Sequence, residues 1–220
     1  MDDLQCHGEV VDQTLRELEF INRWLGGNAV TMEGVSQLAK GHAALTIADL
    51  GCGSGDMLKM LAIWGRENGI SLSLTGIDAN AHIVASAKNN CRGFQEINFE
   101  ALDIFSPEFH DRKYDIILGT LFYHHFQQDA LVNIFSKLKQ QVRIGLVIND
   151  IHRHWFAFHS IRLLTKLFSR SAMVKFDAPL SVLRAFTKAE LINVLMKSGI
   201  EDFTLRWKWA FRWQVICHIP

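Results

Sequence analysis

Two short stretches of this 220-residue chain carry residue types that do chemistry. The first, ADLGCGSGDML, begins at Ala48 and sets Gly51, Gly53 and Gly55 between an apolar run and the start of a helix. The second, INDIHRHWFAFH, begins at Ile148 and ends another apolar run with His152, His154 and His159 among Trp155, Phe156 and Phe158. Glycines without Cβ atoms let a chain turn sharply and come close to a ligand. The spacing here is GxGxG followed by Asp56. A dinucleotide-binding turn wants its third glycine one place later, and the Gly-Lys-Ser/Thr of a phosphate loop is absent. Asp49, at the end of the run before the loop, would repel a pyrophosphate but suits a cationic ligand with an amino group.

Two more acids fall at matching places. GIDAN puts Asp78 after the next apolar run, where a carboxylate can accept both hydroxyls of a ribose. ALDIF puts Asp103 after the one that follows. A single acid at a strand end is usually a helix cap. Three at one edge, beside this loop, point to a ligand site.

The elements that must position these residues alternate. Helical spacing covers residues 10–25, ended by Gly26-Gly27, and a short helix covers 32–40. Strands are expected at 45–50, 72–77, 96–102, 114–119 and 142–148, with helices at 57–67, 81–90 and 129–141 between them. Such units build a parallel sheet with helices on both faces, joined by right-handed crossovers. A long apolar and basic stretch follows Asn149, then a helix at 188–197. The closing DFTLRWKWAFRWQVICHI reads as two closely connected, hence antiparallel, strands. With no repeat or linker, the expectation is a single domain: a helical cap over 1–41, a ligand-binding core over 42–149, an insertion over 150–186, and a helix with a strand pair over 187–220.

Composition narrows the class. Hydrophobic residues make up 49% of the chain, enough for a sizeable core, and three prolines argue against disorder. Lys plus Arg and Asp plus Glu number 23 each, so no overall charge draws the chain to nucleic acid. From Ile151 onward, however, eleven basic residues face four acids. Four scattered cysteines without a CxxC pair argue against a zinc ribbon and a disulfide framework. The acidic N-terminus MDDLQCHGEV is no signal peptide, and no apolar run reaches the ~18 residues of a membrane span. The expectation is a reduced, cytoplasmic protein.

DLGCGSGD, GIDAN, ALDIF and YDIILGTLFYHHF, in this order and spacing, resemble the class I S-adenosylmethionine-dependent methyltransferases over roughly residues 45–149. The HHF after the fourth strand is similar to bacterial members that act on small lipophilic molecules such as quinone precursors and phenolic polyketides. The resemblance implies a Rossmann-like α/β fold with a seven-stranded sheet, mostly parallel, whose last strand is antiparallel. It implies S-adenosyl-L-methionine as cofactor and S-adenosyl-L-homocysteine as product. Asp49 and the loop Gly51, Cys52, Gly53 and Gly55 would border the methionine part. Asp78, with Ala79 beside it, would hold the ribose, and Asp103 with Ile104 the adenine. Gly119 and Thr120 would lie under the sulfonium. An N-terminal helix closing over the cofactor would let Arg23 pair with the methionine carboxylate, although a surface arginine ending a helix is the plainer reading.

The histidines then gain a place. His124 and His125 follow the fourth strand and His152 and His154 the fifth, neighbours in this fold, so all four start near the transferred methyl. Histidines often only cap helices or bond backbone, but an imidazole here could take a proton, with His125 and His152 slightly favoured. No metal is expected: His152 and His154 lie about 200° apart on a helix, and the acid that metal-using catechol enzymes place after strand four is replaced by Gly119-Thr120. Residues 152–170 read as an amphipathic lid over an apolar acceptor pocket, or as ordinary packing. His152 and His159 would share its face with Trp155 and Phe156. The same stretch could make transient contact with a membrane or an acidic carrier protein. The expected activity is O-methylation of a small phenolic, quinol or polyketide-like acceptor. The Asn/Asp-Pro-Pro-Tyr/Phe signature of amino-methylating DNA enzymes is missing, so nucleic acid is disfavoured. An RNA or protein acceptor, or a non-catalytic cofactor-binding protein, remain the alternatives.

Overall fold

The computed structural model describes residues 8–169 and 171–219, with the side chains at 9–12, 15, 18, 19 and 23 outside that description. Its centre is one seven-stranded sheet: β1 (Ala44–Leu50), β2 (Ser71–Asp78), β3 (Ile97–Ala101), β4 (Tyr114–Thr120), β5 (Val142–Ile151), β6 (Phe203–Lys208) and β7 (Arg212–His218). They lie in the order β3-β2-β1-β4-β5-β7-β6. The pairs among β1 to β5 are parallel, and β7 runs antiparallel to both β5 and β6. This is the sheet the resemblance implied, with a Rossmann-like arrangement around it. The chain reverses its direction of travel across the sheet between β1 and β4. In open sheets that switch leaves a crevice beyond the carboxyl ends of the strands.

Both faces of the sheet are covered, which is why its strands read as near-continuous apolar runs. Side chains alternate along β4: Ile116 and Leu118 join one core with Ile47, Leu74 and Val147, while Ile117 joins the other with Leu50 and Ile148. The first core is closed by α2 (Gly27–Leu38), α3 (Asp56–Asn68) and α4 (Ala81–Asn90), which supply Val35, Leu58, Leu61 and Ala87. The second is closed by α6 (Gln128–Gln141) and α9 (Lys188–Lys197), through Leu131, Phe135, Leu138, Leu191 and Leu195. Each such fully buried aliphatic or aromatic side chain contributes about 1.5–3 kcal/mol. The four-residue α5 (Pro107–His110) seats Phe109 in this second core.

Three expectations shift. The expected 32–40 helix begins at Gly27, because Gly26 alone, at φ 69°, makes the break after α1 (Glu9–Trp24). The fifth strand does not stop at Ile148 but carries the polar residues Asn149 and Asp150 on to Ile151, where β7 pairs with them. The stretch after it is two helices, α7 (Trp155–Phe168) and α8 (Ala172–Arg184), packed on each other and, through α8, on α1. Among the described residues no helix is long and apolar enough to cross a membrane.

Candidate functional site

The glycine loop leaves β1 at the crevice. Gly51, Gly53 and Gly55 have φ of 67°, 51° and 82°, the left-handed region that other residues enter at a cost. The N–H groups of Gly51 and Cys52 both donate to the Ile77 carbonyl, at 2.8 and 3.2 Å, tying the loop to the end of β2. A Cβ at Gly51 would lie 2.3 Å from the Phe122 ring, and one at Gly55 2.7 Å from Phe99. A Cβ at Gly53 would meet nothing within 4 Å. Two of the glycines thus admit packed rings, and the third faces open space in the crevice.

None of the three aspartates caps a helix. Gly55 occupies the cap position of α3, Asn80 caps α4 by accepting from the N–H of His82 and Ile83, and Ser106 caps α5. Asp78 is half-buried and accepts from the N–H of Asn80 at 2.9 Å and from that of Gly53, bridging the loop to β2. Burial nevertheless holds its carboxyl above the ordinary value. Asp49 is only 3% exposed, and its carboxyl makes no hydrogen bond or ion pair among the described residues. Burial first, and the Asp78 charge second, push its carboxyl well above the usual range. Asp103 is exposed in the turn after β3, where Oδ1 accepts from the Phe105 N–H at 2.9 Å, and Ile104 beside it is buried. Ala79 is exposed and Cys52 buried. An unpaired buried carboxylate, an open glycine and a second carboxylate on the next strand make a crevice suited to a cationic ligand with hydroxyl groups. Asp56 in the first turn of α3 speaks against phosphate there.

Asp49 has a measurable consequence. Its folded pKa exceeds the unfolded one, so the folded state holds the proton more tightly. Stability must then fall as pH rises from the unfolded carboxyl value through the folded one. Asp49→Asn is expected to remove that fall, raising the melting temperature of the ligand-free protein near neutral pH and flattening its pH profile. Thermal denaturation across about pH 5 to 9 checks this; an unchanged slope would contradict it.

At the end of β4, Gly119 admits the buried Tyr123 ring, whose nearest carbon would sit 2.6 Å from a Cβ there. Thr120 shares a 2.8 Å hydrogen bond with Thr31 of α2. Leu121 follows at φ 56°, strained for a branched side chain, and leads into a single 3₁₀ turn, Tyr123–His125. This turn presents His124 to β5. His124 Nδ1 lies 2.7 Å from Asp150 Oδ1, and both groups are buried. Asp150 also accepts from the N–H of Tyr123, His124 and Ile151 at 2.9, 3.1 and 2.8 Å. Burial alone would raise the Asp150 carboxyl, but His124 and these donors hold it below its ordinary value. An ionised carboxylate only accepts, so Nδ1 carries a proton and Nε2 lies on the far side of the ring.

That ring faces a cavity of about 350 Å³. His124, His125 and Leu121 form part of its wall, Ile21 of α1 and Leu25 just after it another, Ala157, Ile161 and Leu164 of α7 and Val182 of α8 a third, and the β6–β7 turn closes it. Among the described residues three non-glycine residues have positive φ, Leu121, Ala210 and Phe211, and all three line this cavity. Such strain costs about 1–3 kcal/mol each and gathers at functional places.

The two histidine pairs do not both reach it. His152 lies beside the β-sheet, with Nδ1 accepting from Trp207 Nε1 at 3.3 Å and its ring 4.7 Å from that of Trp213. Burial, then His154, holds its imidazole below the ordinary value. His154 caps α7 through Nδ1 and stacks on Phe211 at 5.1 Å. Neither is in the cavity wall. The α7 face also differs from expectation: Phe156, Ala157, Ser160, Ile161 and Leu164 look inward, while Trp155 is 70% exposed. Arg23 lies in α1, and its side chain is outside the described set. The sequence reading passed over Asp150 as a partner for His124, although its place one residue beyond Asn149 at the end of β5 was a usable signal. It also missed Arg212, which lines the cavity, and Asn22 and Asn149, which bond to it.

Comparison with known proteins follows this geometry. Residues 47–145 match the family described as a methyltransferase domain. A curated relative, the putative 23S rRNA (guanine-N(1)-)-methyltransferase YxjB of Bacillus subtilis (strain 168), is 31% identical over 87 residues, 40% of this chain and 29% of its own length. The chain therefore spans under a third of that relative. Among solved structures, the plantazolicin methyltransferase BpumL, in complex with a desmethyl-plantazolicin analogue and S-adenosylhomocysteine (SAH), superposes with TM-score 0.67 at 18% identity, covering 96% of this chain and 89% of its own. Magnesium protoporphyrin IX methyltransferase from Synechocystis, with bound SAH, gives TM-score 0.60 at 16% identity, covering 99% and 91%. These likenesses show that the chain shares its fold with those two methyltransferases.

Proposed function

We propose, from the match of residues 47–145 to the methyltransferase-domain family, that the chain transfers a methyl group from S-adenosylmethionine to an oxygen of a small apolar acceptor. The observation that carries this reading is the apolar cavity at the β4–β5 edge, with the free face of the His124–Asp150 pair in its wall. Its volume of about 350 Å³ suits a compact ring compound.

The crevice fits the cofactor. Asp49, buried and unpaired, is placed to meet its cationic methionine end, Asp78 the ribose hydroxyls, Ile104 the adenine face, and Gly53 leaves room for the ligand. Bound there, S-adenosylmethionine supplies a methyl group on sulfonium and leaves as SAH. The residues' part is orientation, water exclusion and proton removal. Helices α7 and α8 cover the acceptor, and orientation of the reacting oxygen supplies much of the rate. His124 Nε2 takes the hydroxyl proton as the oxygen–carbon bond forms, and Asp150 stabilises the resulting imidazolium. His125, exposed beside His124 with ring centroids 4.3 Å apart, positions the acceptor. The outer face of α7, with Trp155, Leu163, Leu167 and Phe168 exposed beside Arg162 and Lys166, is the surface a membrane or carrier-protein contact would use.

The Bacillus relative's name keeps RNA as a second reading. Binding RNA asks for a continuous basic surface. Here Arg153 is paired with Glu190, Arg206 and Lys208 with Glu33, and Arg212 is buried, so four of the eleven C-terminal basic residues are already engaged or withdrawn. The test is incubation with S-adenosylmethionine and a panel of phenols, quinols and polyketide-like compounds. Methyl ethers should form in step with SAH. Transfer to RNA fragments and to no member of the panel would overturn the reading.

A further inference from the structure

Arg212 opens β7, lines the acceptor cavity and is only 4% exposed. Nη2 donates to Asn22 Oδ1 at 2.7 Å, and Nη1 reaches Asn149 Oδ1 at a long 3.5 Å. Nε is shielded from solvent and has no hydrogen-bond partner. No carboxylate pairs with this guanidinium among the described residues. Its nearest charge is Asp150, already engaged by His124 and three backbone N–H groups. Burial lowers its pKa to about 10, with Asp150 opposing.

Removing a guanidinium from water is costly, and two amide oxygens compensate only part of that cost. The place is nevertheless built for it. A Cβ on residue 27 would lie 2.6 Å from Arg212 Cζ, so glycine there lets the guanidinium lie against the α2 backbone. Asn149 Nδ2 donates to the Gly27 carbonyl at 2.8 Å and to Thr31 at 2.9 Å, locking that backbone in position. The rest of the wall is mostly apolar, and α8 adds one charge of each sign, Asp177 and Arg184.

We propose that Arg212 recognises a carboxylate on the acceptor, so that the substrate is an apolar, hydroxyl-bearing acid anchored by its carboxylate and methylated at its hydroxyl. The inference rests on reading the cavity as the acceptor site. A planar carboxylate matches the guanidinium fork, whose present partners are two neutral amide oxygens. The apolar wall holds the body of the molecule, and the hydroxyl is presented to His124. Charge is then balanced in the complex as it is not in the free protein.

The experiment uses the full chain saturated with SAH and titrates it with 2-naphthoate and with 2-naphthamide, which share shape but differ in charge. Tryptophan fluorescence reads the binding, since Trp209 lines the cavity. The wild type should bind the acid at least about tenfold more tightly. Arg212→Gln should bind the two alike with SAH affinity unchanged, and Arg212→Lys should keep part of the preference. Equal binding of the two by wild type, or binding of neither, overturns the proposal even if no variant folds. Acid preference that survives in Arg212→Gln also overturns it, and a concurrent loss of SAH affinity would assign Arg212 to the cofactor's own carboxylate. Failure of wild type to bind SAH at all would instead sink the methyltransferase reading.

Discussion

His124→Ala is expected to slow methyl transfer to a phenolic acceptor by about 10²–10⁴-fold, the usual scale for a positioned base, with SAH affinity little changed. The geometry behind this is specific. Asp150 fixes Nδ1 as the protonated nitrogen, so Nε2 is the one that can accept, and the ring carrying it lines the cavity. Asp150→Asn keeps the shape but can donate to Nδ1, which favours the wrong tautomer, so a rate loss of similar scale should follow. The pair also supports the fold. His124→Ala removes a charge-assisted hydrogen bond from a buried carboxylate and should lower stability by about 1.5–3 kcal/mol. Rates at saturating cofactor, set beside denaturant midpoints, separate the two effects. Full activity in both variants would leave orientation as the sole source of rate. His152→Ala and His154→Ala are the comparison. Their rings pack against Trp213 and Phe211 outside the cavity wall, and they should affect stability more than rate.

Gly53→Val is expected to weaken SAH binding by at least about 10²-fold, roughly 2.7 kcal/mol, while unfolding remains cooperative. The left-handed φ of 51° charges a branched residue about 1–2 kcal/mol of strain. Beyond that strain the new side chain meets no protein atom near its Cβ; it occupies the crevice. Gly51→Val and Gly55→Val should behave differently. Their Cβ atoms would strike Phe122 and Phe99, so both should lose stability before binding can be compared. Calorimetry with SAH, run beside thermal melts, distinguishes the loop that cradles a ligand from one that only turns.

The crevice beyond β1 and β2 was largely legible because its signals are local. A glycine loop, a strand before it and an acid at each strand end lie within a few residues of one another, and a parallel sheet places such ends at one edge. The cavity side depends on distant pairings. His124 and Asp150 are 26 residues apart, and they meet because β4 and β5 run in register, Thr120 beside Asn149. Polar Asn149 and Asp150 read as the end of a strand. They continue it because β7 pairs there and because neighbouring N–H groups satisfy Asp150. Arg212 lies 190 residues from Asn22. No periodicity announces a buried arginine in a hairpin whose neighbours Ala210 and Phe211 lack the Asn-Gly that a left-handed turn prefers. The helix after β5 was legible as a helix, but its inward face is set by packing on α8 rather than turned toward Trp155.

The claim on which the rest depends is that the crevice between β1 and β4 holds S-adenosylmethionine. Isothermal titration of the full chain with SAH measures it most directly. Saturable binding at one site per chain is predicted, and an excess of NAD or ATP should leave it intact, because Asp49 and Asp56 disfavour phosphate. Absence of saturable heat, or displacement by those phosphate-bearing nucleotides, would contradict the account.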